Sequence, residues 1–304
     1  MIKHENDLAT GSGDQSLQIA MILKNISLET VLKEWSKIKE LTSGEIINLN
    51  GRSRLGCDLI DHYFFKNRIE TIGNKGIHFF DFLENITFYK SKKYIQTLLT
   101  FCEKNNRYSD NEIKKYYYCY GLCFGRINAF KITNALQLYH KYKPTAILDP
   151  FCGFGGRLVA AMIQNINYIG VDLNIDLKPG YNKIREDLGN LSESNVEILF
   201  QDALSVDFSN KHYDMVFTSP PYENIEIYKN MEKKTTNEWS QFYTTIFQKL
   251  WDHLQKDGIY AININDNIFS KILYPLFGDA HEKIMLKKSS KNNYTEYIYI
   301  WRKL

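Results

Sequence analysis

No apolar run in these 304 residues approaches the roughly 20 residues that a membrane-spanning helix needs. The opening MIKHENDLATGSGDQS has no apolar leader core, so a secreted protein is not expected. Cysteine is sparse and scattered, with five residues at 57, 102, 119, 123 and 152 and no CxxC pair. That argues against a disulfide framework and a structural zinc site, and fits a reducing compartment. The seven histidines show no HxxxH or HExxH spacing, so no metal is expected. Proline is scarce, six residues in all, yet two of them are consecutive at 220 and 221. Internal repeats and low-complexity tracts are missing too.

What remains is an ordinary globular composition, 44% hydrophobic and 24% charged, long enough for one large domain or two modest ones. The net charge of +3 is unevenly spread. Residues 1–145 hold 21 Lys and Arg against 15 Asp and Glu, and the rest hold 17 against 20. A basic front on a mildly acidic back fits a polyanion-facing module joined to a catalytic body. Lys and Tyr are abundant everywhere, so their numbers alone locate nothing.

The chain changes character near residue 130. Beyond it, short apolar runs alternate with amphipathic stretches: strands are expected at 146–148, 167–172, 196–200, 214–218 and 258–264, and helices at 129–142, 157–164 and 239–254. Nearly all-apolar strands alternating with helices mean a parallel sheet covered on both faces. The tail breaks this rhythm, because 282–287 and 296–302 are β-patterned and their polar connection is too short for a crossover helix; an antiparallel hairpin is expected. Ahead of residue 130, helical patterns cover 17–41, with Ser27 and Thr30 as cap candidates, and 79–101. A basic turn precedes the apolar run within 50–67, and the polar run 104–115 reads as a linker. The boundary is therefore placed at 115, with a mainly helical region over 1–115 and an α/β domain over 116–304.

Two motifs carry chemistry. In Asp149-Pro-Phe-Cys-Gly-Phe-Gly-Gly-Arg157 a buried strand ends at an aspartate, and glycines at 153, 155 and 156 turn the chain into a helix whose N-terminus offers free N–H groups. The spacing lacks the third glycine of the dinucleotide fingerprint. Asp172, 23 residues on, ends the second strand, where a carboxylate can accept hydrogen bonds from ribose hydroxyls. The second motif is Thr218-Ser-Pro-Pro-Tyr222. Two prolines stiffen this turn and leave its carbonyls without competing N–H donors, at the ligand-binding edge of a parallel sheet. Read alone, it also fits a plain Pro-Pro turn with a surface tyrosine.

DPFCGFGG followed about 70 residues later by TSPPY resembles the S-adenosyl-L-methionine (AdoMet)-dependent amino-methyltransferases of nucleic acids, over residues 128–304. The resemblance implies a class I (Rossmann-like) methyltransferase fold, a seven-stranded mostly parallel sheet with a C-terminal antiparallel hairpin. It implies AdoMet as cofactor, with Phe130 and Lys131 over its methionine end, Asp149, Phe151, Gly153 and Gly155 as the methionine pocket, Asp172 on the ribose and Asp202 on the adenine amino group. It makes Ser219, Pro220, Pro221 and Tyr222 the catalytic set. Ser219 and the Pro220 carbonyl would accept the two N–H bonds of a flipped base's exocyclic amine, and Tyr222 would stack on that base. A serine before the prolines ranks cytosine N4 in DNA above adenine N6, within a modification setting of the restriction type. No cysteine follows a proline directly, which removes the C5-cytosine chemistry. With little chain left for a separate recognition segment, residues 1–115 take that role.

The alternatives are an RNA methyltransferase, a protein glutamine methyltransferase of the NPPY type, a catalytically silent AdoMet-binding subunit and, least favoured, a nicotinamide dehydrogenase. Homodimerisation is left open. A cytoplasmic location is expected for a bacterial chain, and nucleus or viral factory for one of viral or eukaryotic origin. Arg52, Arg54, Lys66 and Arg68 around Tyr63–Phe65 form a candidate phosphate and stacking patch. The polar stretch 223–237 is a candidate lid, and Tyr116–Tyr118 with Tyr120 read as domain-junction packing.

Overall fold

A computed structural model describes residues 13–51, 53–73, 75–223, 234–286 and 295–304. Five parallel strands, β1 (Ala146–Asp149), β2 (Asn167–Asp172), β3 (Val196–Phe200), β4 (Met215–Thr218) and β5 (Ile259–Asn265), are completed by β6 (Glu282–Met285) and β7 (Glu296–Arg302). The sheet order is β3-β2-β1-β4-β5-β7-β6, with β7 antiparallel to both neighbours. This is the mostly parallel seven-stranded sheet with a terminal hairpin that the sequence leads one to expect. The hairpin's connection lies largely outside the described residues.

Alternation along the strands builds two cores. Ile147, Met215, Phe217, Ile259 and Ala261 face one side. Leu148, Val216, Tyr260, Ile262 and Ile264 face the other. Period-2 alternation with both faces apolar is what buries a parallel sheet. The first face is covered by α9 (Ile132–Tyr142), α10 (Gly156–Ile163) and α11 (Lys178–Leu188). The second is covered by α12 (Thr236–His253), which starts at a Thr235–Glu238 capping box, and by the irregular helical segment 266–277.

Eight helices precede α9 among the described residues: α1 (Gly13–Leu23), α2 (Leu28–Lys39), α3 (Ser43–Ile47), α4 (Cys57–Glu70), α5 (Phe79–Glu84), α6 (Ile86–Lys90), α7 (Lys93–Lys104) and α8 (Glu112–Cys123). The helical pattern over 17–41 is two helices, because Ser27, one of the two cap candidates, accepts the Thr30 N–H and restarts the chain as α2. The pattern over 79–101 is likewise three short helices. The linker expected over 104–115 shrinks to 105–111, since Asn111 caps α8 by accepting the Lys114 N–H; a boundary at 115 would cut that helix.

Packing regroups this zone. Val31, Trp35 and Ile38 of α2 and Leu59, Ile60 and Phe64 of α4 share the core of α9–α11. A separate outer core gathers α1, α5, α7, α8 and the far face of α4 through Phe65, Phe79, Phe82, Ile95 and Tyr120. No helix among the described residues is long and apolar enough to cross a membrane.

Candidate functional site

The glycine bend follows β1 and the diproline turn follows β4, and these strands are neighbours, Leu148 opposite Val216. Strand order reverses between β1 and β4, so both turns sit at the crevice where parallel α/β sheets bind ligands. A direct bond joins them: the Thr218 hydroxyl donates to Asp149 Oδ1 at 2.7 Å.

Asp149 is fully buried, and its carboxylate is taken up inside the protein. Arg157 Nε donates to Oδ2 at 2.5 Å, and the Tyr168 hydroxyl donates to the same oxygen at 2.5 Å. The carboxylate expected in the methionine pocket is thus engaged as a junction that ties β1, β2, β4 and α10 together. Arg157 is itself buried and donates from Nη2 to the Phe151 carbonyl at 2.6 Å, which sets the shape of the bend. Burial alone would loosen the guanidinium's proton, but the Asp149 carboxylate outweighs it and leaves the pKa raised.

Gly153 and Gly155 have φ of +54° and +72°, the left-handed region that favours glycine. A Cβ on Gly153 would meet nothing nearer than 3.9 Å, so that side of the loop is clear for a ligand. A Cβ on Gly156 would lie 2.0 Å from the Phe130 carbonyl oxygen. Phe130 therefore crosses the start of α10, its ring 5.0 Å from the Arg157 guanidinium and edge-on to Phe217. Lys131 departs from expectation. Its Nζ donates to the carbonyls of Gly51 (2.7 Å) and Ser53 (3.1 Å), because the turn before α4 offers bare acceptors there. Phe151 is half-buried, with its ring 5.9 Å from Phe242 of α12.

Asp172 accepts the Gly153 N–H and the Asn174 N–H, both at 2.8 Å. Burial, with a smaller contribution from Asp149, pushes its carboxyl up to about 6 against the pull of those two N–H groups. Asp202 lies two residues beyond Phe200, the β3 partner of Asp172, and is exposed on the same edge, with Oδ1 accepting the Leu204 N–H at 3.0 Å. Gly153, Asp172 and Asp202 thus line one rim. A clear glycine turn flanked by two carboxylates at successive strand ends fits a nucleoside bearing a charged tail.

At the diproline turn Tyr222 is 7% exposed. Its hydroxyl donates to the Asn263 carbonyl at 3.2 Å, so the ring expected to stack on the base is anchored at the polar end of β5 and is not the surface tyrosine of a plain Pro-Pro turn. Asn263 Nδ2 donates to Ser219 Oγ and to the Tyr222 hydroxyl, each at 2.9 Å. From α12, the Tyr243 hydroxyl donates to the Pro221 carbonyl at 2.6 Å and accepts the Glu223 N–H at 2.8 Å. The Pro220 carbonyl meets no donor among the described residues. The expected lid lies mostly outside the described residues.

Arg157, Tyr181, Tyr243 and Asn263 were not singled out from the sequence. Tyr181 donates to the Gly153 carbonyl at 2.8 Å. Asn263 had a signal, a polar residue inside the apolar strand GIYAINI, at the parity that buries Ile259 and Ala261. The patch expected around Tyr63–Phe65 is largely taken up by partners within the protein, with Arg54 exposed. Arg68 ion-pairs with Asp61 and donates to the Ile127 carbonyl, Lys66 pairs with Glu70, and Phe64 and Phe65 are buried. Arg52 lies outside the described residues.

No protein-family model matches the chain. Over 76 residues it is 34% identical to the tRNA (guanine(10)-N2)-dimethyltransferase of Methanothermobacter thermautotrophicus, covering 25% of this chain and 21% of that protein. Over 171 residues it is 27% identical to a probable tRNA (guanine(10)-N2)-dimethyltransferase of Methanothermococcus thermolithotrophicus, covering 53% and 90%. The chain thus spans about a fifth of the first relative's length and most of the second's. Among solved structures, TrmN from Thermus thermophilus overlaps with a TM-score of 0.41 at 16% identity, over 57% of this chain and 49% of that one. An RNA methyltransferase from Salinibacter ruber, in complex with S-adenosyl-L-homocysteine, overlaps at 0.38 and 14%, over 56% and 88%. The fold rests on the sheet order above, not on overlaps of this size.

Proposed function

We propose that the chain is an AdoMet-dependent methyltransferase acting on the exocyclic amino group of a base in RNA. The observation that carries this reading is the Thr218–Asp149 bond, which holds the cofactor-type bend and the diproline turn side by side on one sheet edge. RNA is put before DNA because both curated relatives are named for a tRNA guanine N2 activity. Cytosine N4 in DNA, which the serine before the prolines favours, is the second reading.

When bound, AdoMet supplies an electrophilic methyl group on a sulfonium. Asp172 and Asp202 accept hydrogen bonds from its ribose and adenine ends, and the clear face of Gly153 admits its tail. An exocyclic amine is a weak nucleophile because its lone pair is delocalised into the ring. Ser219 Oγ and the Pro220 carbonyl accept its two N–H bonds, which favours a pyramidal nitrogen with the lone pair directed at the methyl; transfer would break the sulfur–methyl bond, leave S-adenosyl-L-homocysteine and pass one N–H proton by way of these acceptors to solvent. Positioning and fixed dipoles supply the rate, with no covalent enzyme intermediate. Residues 1–115, together with the rest of α8, are proposed to receive the substrate.

Transfer of radiolabelled methyl from AdoMet to tRNA, other RNA, single- and double-stranded DNA and protein, followed by nucleoside analysis, tests the proposal. N-methylated guanine, cytosine or adenine in RNA supports it. Label in DNA alone returns the substrate to cytosine N4 or adenine N6, and label in protein alone or in nothing refutes the reading.

A further inference from the structure

The outer core carries a surface that the site does not use. Residues 88–126 hold eight Lys and Arg against three Asp and Glu. Among the described residues, none of those eight cations ion-pairs with a carboxylate. Several lie over aromatic rings instead. Lys92 Nζ is 4.0 Å from the Phe88 centroid, Lys90 Nζ is 5.0 Å from that of Tyr116, and the Arg126 guanidinium is 4.2 Å from that of Tyr117. Arg107 sits between Tyr118 at 5.3 Å and Phe101 at 5.9 Å. Of the three acids, Glu112 is engaged by the Tyr116 hydroxyl at 2.7 Å.

Four rings here stand in solvent: Phe88 at 57% exposure, Tyr94 at 49%, Phe101 at 43% and Tyr108 at 38%. Tyr94 and Phe101, seven residues apart on α7, lie on one stripe about 10 Å apart along its axis. Tyr108 continues the row against Tyr118, 5.8 Å between ring centres. An oily protein-docking face would not carry eight cations against three acids, and an ordinary solvated face would not show this many rings. Cations that have only rings and neutral oxygens for partners, beside rings that stand in solvent, are the two elements of a single-strand platform.

We propose that the face built by α6, α7 and α8 docks unpaired nucleotides of an RNA, holding the substrate while one of its bases enters the site. The proposal rests on the RNA reading above and extends it to a second contact. Phosphates take the place of the rings as partners of Lys92 and Arg107, and bases stack on Phe88, Tyr94 and Phe101. One helix connects the two places. Phe64 of α4 packs against Gly155 and Gly180 at the cofactor bend, and its neighbour Phe65 packs edge-on against Tyr117 of α8.

Fluorescence anisotropy of a labelled 12-residue oligouridine with the full chain, over a series of salt concentrations, tests this. The variant Phe88→Ala/Tyr94→Ala/Phe101→Ala should bind about ten-fold more weakly or worse, with an unchanged salt slope. The variant Lys92→Ala/Lys104→Ala/Arg107→Ala should lower the slope of log Kd against log salt by about 2. Both should keep the parent's AdoMet affinity and melting temperature. Parental oligouridine binding in both variants overturns the proposal, as does duplex RNA binding as well as oligouridine. So does a parent dimer that the variants dissolve without change in RNA affinity, which would make this a self-association face. Oligouridine binding that follows the expected pattern without any methyl transfer to RNA refutes the catalytic reading alone.

Discussion

Asn263 offers the sharpest separation of a catalytic arrangement from a merely structural one. Its Nδ2 holds both hydroxyls of the proposed catalytic turn, and its Oδ1 is buried without a partner among the described residues. Asn263→Ala deletes two hydrogen bonds worth about 0.5–1.5 kcal/mol each and also removes an unsatisfied acceptor, so the net loss of stability should be only about 1–2 kcal/mol. That corresponds to a fall in Tm of a few degrees. Activity should suffer far more. Ser219 loses the donor that orients it, and a misplacement on the order of 1 Å costs about 100-fold in rate. The expected result is kcat for RNA methylation down about 30- to 100-fold, with AdoMet affinity within about two-fold of the parent.

The decisive measurement is a double-mutant cycle with Ser219→Ala. If Asn263 acts through Ser219, the double variant should be no more than about three-fold slower than the worse single variant, a coupling of more than 1 kcal/mol. Penalties that simply multiply would refute the positioning role, as would a lowered Tm with an unchanged kcat.

Three further outcomes are expected. The Asp172 carboxylate must be ionised to accept from ribose, and its raised pKa of about 6 means that it takes up a proton as the pH falls through that value; calorimetric AdoMet affinity should therefore weaken between pH 7 and 5.5, and Asp172→Asn should flatten the profile. Gly156→Ala drives a methyl group to 2.0 Å from the Phe130 carbonyl and should abolish AdoMet binding with a large drop in Tm, whereas Gly189→Ala, with nothing within 4 Å of its added Cβ, should leave both unchanged. Asp149→Asn strands the buried Arg157 guanidinium and should cost about 3–5 kcal/mol in urea denaturation, and a change below about 1 kcal/mol would refute the junction role.

The sheet was legible because its signal is local. A short apolar run between polar stretches announces its own length, so β2, β3 and β7 fall where the periodicity puts them, and the glycine bend and the diproline mark the ends of β1 and β4. Asp149 was legible as a residue but not as a role. Nothing in DPFCGFGG says that its carboxylate turns inward, because Tyr168 and Thr218, two of the groups that claim it, come from other strands. The anchoring of Tyr222 was hidden for the same reason, since it depends on Asn263, 41 residues away. The front helices were least legible. Their breaks are set by single caps; Ser27 was one of two candidates in its stretch, and Asn111 looks like an ordinary polar residue until an N–H is found pointing at it.

The allocation of aromatics between site and surface follows from the same long-range packing. Tyr63–Phe65 look like a stacking patch because basic residues flank them in sequence, yet α4 lies between two cores and both of its faces are consumed. Phe64 fills the space left by Gly155 and Gly180, and Arg68 is spent on Asp61 and the Ile127 carbonyl. Helices α7 and α8 have only one core to serve. Ile95, Cys102, Cys119 and Tyr120 satisfy it, and the opposite stripe of α7 leaves Tyr94 and Phe101 in solvent. A residue's availability for a ligand is therefore decided less by its type or its sequence neighbours than by how many cores its helix must fill. By that criterion the outer helices are where this chain has side chains to spare for a large polyanion, and the sheet edge is where it has backbone to spare for a small cofactor.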